Sequence, residues 1–161
     1  MDQLRGFYYQ ADDRITTFMR HYGILFLRIS LGVVFFWFGL LKFFPGLSPA
    51  DQIATRTIAK LTFGLLQPGV SIIVLAFWET IIGLGLITGK LLRIILLLLF
   101  AQMLGTLTPL FLFPSETFTH VPYAPTLEGQ YIIKNLVLIS AGLVVGATVR
   151  GGRIVEAKHK R

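Results

Sequence analysis

The sequence predicts an all-α integral membrane protein: a four-helix bundle with a short outer amphipathic helix and an N-terminal interfacial helix. Two observations carry the class. Hydrophobic residues make up 54% of the chain and charged residues only 14%, where soluble domains carry about 25% charged residues; the mean hydropathy is +0.71. The apolar residues gather in four blocks, 24–44, 69–88, 91–113 and 131–148. Each is near the ~20 residues of helix that cross ~30 Å of hydrocarbon. A third observation bears on function. Arg28, Glu79 and Lys134 lie inside the first, second and fourth blocks, and a charge at a membrane helix centre costs roughly 2.5–3.5 kcal/mol on insertion scales. Such residues face one another, a water-filled cavity or a ligand, so the sequence implies a polar interior.

Residues 1–23 precede the first span. Leu4, Phe7, Tyr8, Ala11, Ile15, Phe18, Met19 and Tyr22 recur at helical spacing, with Asp12, Asp13 and Arg14 elsewhere. This predicts a helix lying on the cytoplasmic surface; a partly disordered terminus is the alternative. The first apolar block is too long for a signal-peptide core and has no small-residue cleavage site behind it, so cleavage is not expected.

In the first span, Arg28, Gly32, Phe35, Gly39 and Lys42 step by four, three, four and three residues and share one face. Glycines on that face let a second helix approach closely. Pro45 and Gly46 end the helix. Ser48 can cap a new one, with Pro49 at its first position and Asp51 three residues after the cap. Ile53, Ile58, Leu61 and Leu65 give it a partly apolar face through Leu66. Residues 48–66 therefore read as a short outer helix over the mouth of the bundle. A tight turn at Gly89 and Lys90 joins the second and third spans. Residues 114–130 hold Pro114, Pro122 and Pro125 and read as a structured outer loop, with Thr126 as cap of the fourth helix.

The fourth span is the shortest and most polar. Residues 24–148 thus form one membrane domain, with no separate soluble catalytic domain, and 149–161 form a basic tail. Arg5, Arg14, Arg20, Lys90, Arg93, Arg150, Arg153, Lys158, Lys160 and Arg161 fall on one side if the spans alternate. This asymmetry predicts both termini in the cytoplasm. The net charge of +7 is therefore a matter of topology, and no nucleic-acid partner is expected. The tail meets anionic headgroups or solvent.

Helical rise places Glu79 and Gln102 near mid-depth, Arg28 in the inner third, Lys42 near the outer boundary, and Lys134 and Asn135 in the outer third. The favoured partner of Glu79 is Arg28, whose guanidinium can grip a carboxylate through two bonds, with Lys134 competing. Lys42 reads first as a lysine snorkelling to the headgroups, as Lys134 can. Glu79 has two readings: a structural salt bridge, or a carboxylate that binds a ligand or handles protons. Trp37 and Trp78 read as packing residues on the helices that carry Arg28 and Glu79. His120 stands alone in the outer loop, so no metal site is expected. The absence of cysteine excludes thiolate metal sites and Fe–S ligation by this chain. No haem, flavin or phosphate-loop motif and no nucleophile–base pair is present.

Arg28-Ile-Ser-Leu-Gly32 through Trp37-Phe-Gly39-Leu-Leu-Lys42-Phe-Phe-Pro45 resembles the opening of DoxX-family membrane proteins. Glu79 followed by Gly83-Leu-Gly85 and Gly89 resembles their second span. Residues 127–135, Leu-Glu-Gly-Gln-Tyr-Ile-Ile-Lys-Asn, are similar to the start of their last helix. The resemblance implies a four-helix bundle in a bacterial or archaeal plasma membrane, related to the membrane subunit of a thiosulfate:quinone oxidoreductase. It implies Arg28, Lys42, Glu79 and Lys134 as family motif positions, and a quinone as the ligand to consider.

Two functional readings follow. In the first, the chain is a membrane subunit whose polar pocket (Arg28, Glu79, Gln102, Lys134 and Asn135, with Lys42 at its edge) binds a lipophilic or quinone-type ligand. It would do so within a larger redox-linked complex, or by self-association. In the second, the chain is a non-catalytic structural subunit whose charges only specify packing. A small-solute carrier is a weaker third reading, since no inverted repeat or broken helix is evident.

Overall fold

A computed structural model describes residues 2–48 and 50–152 of the protein. Its elements are α1 (Asp2–Leu41), α2 (Asp51–Leu61), α3 (Pro68–Thr88), α4 (Leu92–Leu107), α5 (Pro109–Leu112), α6 (Pro114–Thr117), β1 (Phe118–His120), β2 (Ala124–Pro125) and α7 (Leu127–Thr148). Four helical stretches are long and apolar enough to cross a membrane: Ala11–Leu41, Pro68–Thr88, Leu92–Leu112 and Leu127–Thr148. The third runs through α4 and α5. The all-α membrane bundle expected from the sequence is the architecture observed. Among the described residues the one sheet is the antiparallel pair β1–β2 in the loop before α7.

The four spans form a ring in which α1 packs on α3, α3 on α4, α4 on α7, and α7 on α1. Leu31, Phe35, Ile82, Leu86, Ile95, Leu96, Leu99, Met103, Ala141 and Val145 fill its centre. The α1–α3 seam is the closest. A Cβ at Gly32 would meet Ile87 and the Gly83 carbonyl, one at Gly39 would meet Thr80 N at 2.7 Å, and one at Gly83 would overlap the Phe36 backbone. Gly32 and Gly39 thus pack backbone against backbone on the face where the sequence places them.

Two elements differ from the sequence reading. Residues before the first span do not form a separate surface helix. Nothing between Asp2 and Leu41 breaks the helix, so α1 continues without interruption for 40 residues. At ~1.5 Å per residue its contour is ~60 Å, about twice the hydrocarbon thickness. The predicted stripe of Ile15, Phe18, Met19 and Tyr22 is present and exposed on this extension. Second, the outer helix is shorter than residues 48–66. It starts at Asp51 behind an Ala50 N-cap without a side-chain bond. It ends at Leu61, where Phe63 and Gly64 take positive φ values of 52° and 81°. Ser48 caps nothing; it is buried. The start of α7 at Leu127 is the one that the Thr126 cap predicts. Thr126 caps it as expected, its Oγ1 accepting from Gly129 N at 3.2 Å and donating to the Glu116 carbonyl at 2.7 Å. The turn at Gly89, with φ 73°, closes α3 where predicted. Most of the basic tail, 153–161, lies outside the described residues.

Candidate functional site

The close approach at Gly39 decides the geometry of the polar interior. Gly39 lies against Thr80 and the Glu79 side chain, so α1 comes to its end beside the middle of α3. Lys42, three residues beyond Gly39 and on the same face, is thereby delivered to Glu79. Lys42 Nζ donates to Glu79 Oε2 at 2.7 Å and to the Phe38 carbonyl at 3.4 Å. From α4, Gln102 Nε2 donates to Glu79 Oε1 at 2.7 Å. All three side chains are buried, at 6%, 7% and 8% exposure for Lys42, Glu79 and Gln102. One cation and one amide therefore occupy the two oxygens of one carboxylate, from three different parts of the chain.

Lys42 does not snorkel. The depth estimate fails because α1 ends at the level of Glu79, roughly halfway along α3, rather than at the outer boundary. Arg28 is not the partner of Glu79. It lies about four turns earlier on α1, ~21 Å from Lys42 along the axis. There its guanidinium packs over Gly89, so closely that a Cβ at Gly89 would overlap it. That position is the C-terminal end of α3, where a cation is favoured by the helix dipole. Lys134 is exposed, with Nζ over the Tyr131 ring at 5.3 Å. Asn135 is half-buried and makes no hydrogen bond to Glu79. Of the six residues the sequence singles out, the structure thus brings together Lys42, Glu79 and Gln102, and leaves Arg28, Lys134 and Asn135 outside.

One residue that sequence reasoning reads only as a helix-capping position stands near the site. Asp51 is close enough for its charge to act on Glu79. Its Oδ1 is buried and has no hydrogen-bond partner, and the same holds for Ser48 Oγ and Gln102 Oε1. The Gln102 amide is oriented by its neighbour: turning it over would set oxygen against oxygen at Glu79, so Oε1 is the atom left over. Buried polar atoms are normally paired. Of the three, Gln102 Oε1 and Asp51 Oδ1 can only accept, whereas the Ser48 hydroxyl can also donate, so the Gln102 side of the site lacks a donor. It suits a group that brings O–H or N–H donors. The missed signal is Gly39 itself, since the residue one turn beyond a close helix contact is carried to the neighbouring helix.

The remaining candidates stay apart. Trp78 Nε1 donates to the Leu98 carbonyl at 3.1 Å and so ties α3 to α4, whereas Trp37 is 64% exposed. His120 stacks on Tyr123 at 6.0 Å in the exposed loop. Among the described residues no group of His, Cys, Asp or Glu is placed to hold a metal. At the loop end, Arg56 bonds Glu116 at 2.7 Å, and both Arg56 and Lys60 lie 4.7 Å from the Phe113 ring. These contacts fasten α2 to the segment after α5.

The family model that matches the chain is DoxX, over residues 23–115. The chain belongs to the DoxX family. The matched region covers more than half of the sequence and contains Arg28, Lys42, Glu79 and Gln102; it ends before α7, which carries Lys134 and Asn135. No curated protein and no solved structure matches the chain. It is a multi-pass DoxX membrane protein whose spans contact lipid, with a buried polar cluster between α1, α3 and α4.

Proposed function

We propose that this DoxX protein binds the polar head of a lipophilic, quinone-type ligand at Lys42, Glu79 and Gln102, as a membrane subunit of a larger redox-linked complex. The observation that carries the reading is the unpaired, buried Gln102 Oε1 beside the Lys42–Glu79 pair. A quinol hydroxyl would supply the donor that this oxygen and Asp51 Oδ1 lack, and a quinone carbonyl could accept from Lys42. The chain's residues would hold and orient the ring, and Glu79 could exchange a proton with it. Electron transfer belongs to the ligand and its partner subunit. We read the isolated chain as a binding subunit rather than a complete enzyme.

The competing reading is a structural lock, favoured by the fact that both Glu79 oxygens already have protein partners. The experiment is titration of the purified protein with a short-chain quinol and the matching quinone, followed by tryptophan fluorescence and by calorimetry. Saturable quinol binding, lost in Gln102→Leu with the fold retained, supports the ligand reading. A protein that binds neither form, or a Gln102→Leu variant that binds as well as wild type, supports the lock.

We also propose a bacterial inner-membrane location with both termini cytoplasmic. Residues 24–148 form the membrane domain, flanked by 1–23 and 149–161 on the basic side. Thr119 is exposed on β1, so a cysteine placed there should label with an impermeant maleimide in intact cells. Labelling only after lysis would reverse the orientation.

A further inference from the structure

We infer that the end of the bundle where α7 finishes binds one anionic phospholipid in the groove between α4 and α7. Arg93, Leu96, Leu97 and Phe100 of α4 form one wall, and Gly146, Val149 and Arg150 form the other, around about 420 Å³. The α4 residues recur at i, i+3, i+4 and i+7, so they share one face. Gly146 keeps the groove open: a Cβ there would already touch Leu96, at 3.5 Å.

The charges select the occupant. Two guanidiniums lie at the end of a groove whose other walls are apolar or bare backbone. Among the described residues no carboxylate pairs with either arginine. Arg93 stands in the first turn of α4, where its own helix dipole disfavours a cation, so the helix does not account for it. Arg150 has φ 79°, a left-handed conformation at the position after a helix end where glycine is usual. Gly151 follows with φ 74°, so the turn runs through two left-handed residues, and the first of them is the arginine beside the groove. Strain of this kind collects where a side chain has a task. A phosphodiester at the two guanidiniums with an acyl chain along Leu96, Leu97 and Phe100 satisfies both parts. Basic pockets between membrane helices hold anionic lipid heads in this way. The chain's own residues 153–161 are the rival occupant, but they carry Arg153, Lys158, Lys160 and Arg161 against the single acid Glu156, and would bring like charge to the arginines.

Native mass spectrometry of the full chain, released from micelles with equal phosphatidylglycerol and phosphatidylcholine, tests the site. Wild type should retain one phosphatidylglycerol with at least a tenfold preference. Arg93→Gln with Arg150→Gln, both at the surface, should reduce that preference to near parity while circular dichroism stays unchanged. Gly146→Leu, which fills the groove and keeps both charges, should also lose the adduct. Deleting residues 153–161 should leave the preference in place. An unchanged preference in the double arginine variant overturns the proposal. So does competition by inorganic phosphate at concentrations comparable to the lipid, which would mark a free-anion site. Loss of the preference on removing 153–161 would assign the lipid contact to the tail instead.

Discussion

Arg28 lies on α1 and Lys42 follows its last residue on the same face, about four turns on, and the protein treats them differently. Lys42 is buried against a carboxylate at 2.7 Å, with an amide from a third helix completing the group. Arg28 reaches the end of α3 over Gly89 and has no carboxylate partner among the described residues. The difference lies in what surrounds each charge. At the level of Glu79 the walls are packed helix, and an unpaired ion there has no solvent or headgroup to turn to. At the end of α3 the last carbonyls already present negative potential to a cation. In this bundle the cation enclosed among packed side chains has a fixed counter-ion, and the cation at the end of a helix does not.

The first way to break this comparison is at the buried pair, where the largest effect is expected. Glu79→Leu strands Lys42 and Lys42→Met strands Glu79; each should destabilise by on the order of 3–5 kcal/mol. The double variant should recover much of the loss, because no unpaired charge remains. Thermal unfolding in detergent gives the cycle. Additive losses would mean that the two residues do not act as a pair.

How much of this was legible is best judged on particular residues. Four spans, the glycine face of α1, the Gly89 turn and the Thr126 cap follow from spacing and local chemistry, which act over a few residues. The membership of Glu79 and Gln102 in one polar interior follows from burial cost. The partner of Glu79 does not, because it depends on how far α1 runs before it ends, and helical rise counted from an assumed boundary separates Lys42 from the level of Glu79, where the structure puts it. Ser48 and Asp51 were hidden for another reason. Their spacing fits a helix cap, a local role, whereas the burial of Ser48 Oγ and Asp51 Oδ1 goes with the packing of α2 on α3.

The next largest effect tests the close approach that places Lys42. Gly83→Ala drives a methyl into the Phe36 backbone, and overpacking of this kind costs roughly 1–3 kcal/mol. Gly105 has open space around its Cβ direction. There the same substitution should be neutral or stabilise by roughly 0.5–1 kcal/mol, as expected for glycine in a helix. Equal responses at the two glycines in the same unfolding assay would remove the seam as the device that sets the site.

Arg28→Met should lose only about 0.3–1 kcal/mol, the usual worth of a cation at a helix end. Combined with Glu79→Gln, its effect should be additive, since the two side chains do not meet. Coupling above ~1 kcal/mol between Arg28 and Glu79, judged against the independence expected of distant sites, would restore the pairing that the sequence alone favours.

The smallest effect belongs to the second ion pair, and it sharpens the contrast from the exposed side. Arg56 and Glu116 meet at the same 2.7 Å as Lys42 and Glu79, but their side chains are 53% and 41% exposed against 5% and 10%. Equal distance should not mean equal energy. Solvent screens the outer pair, so its coupling should be about 0.2–1 kcal/mol and fall further in high salt. Lys60 lies over the same Phe113 ring and donates to the Leu112 carbonyl at 3.3 Å, which keeps α2 attached when Arg56 is removed. Arg56→Ala, Glu116→Ala and their combination, unfolded in low and high salt, give the number. A salt-independent coupling as large as that of Lys42 and Glu79 would mean that the end of the bundle carrying α2 is covered by lipid or by a partner chain, and that depth rather than packing separates the two pairs.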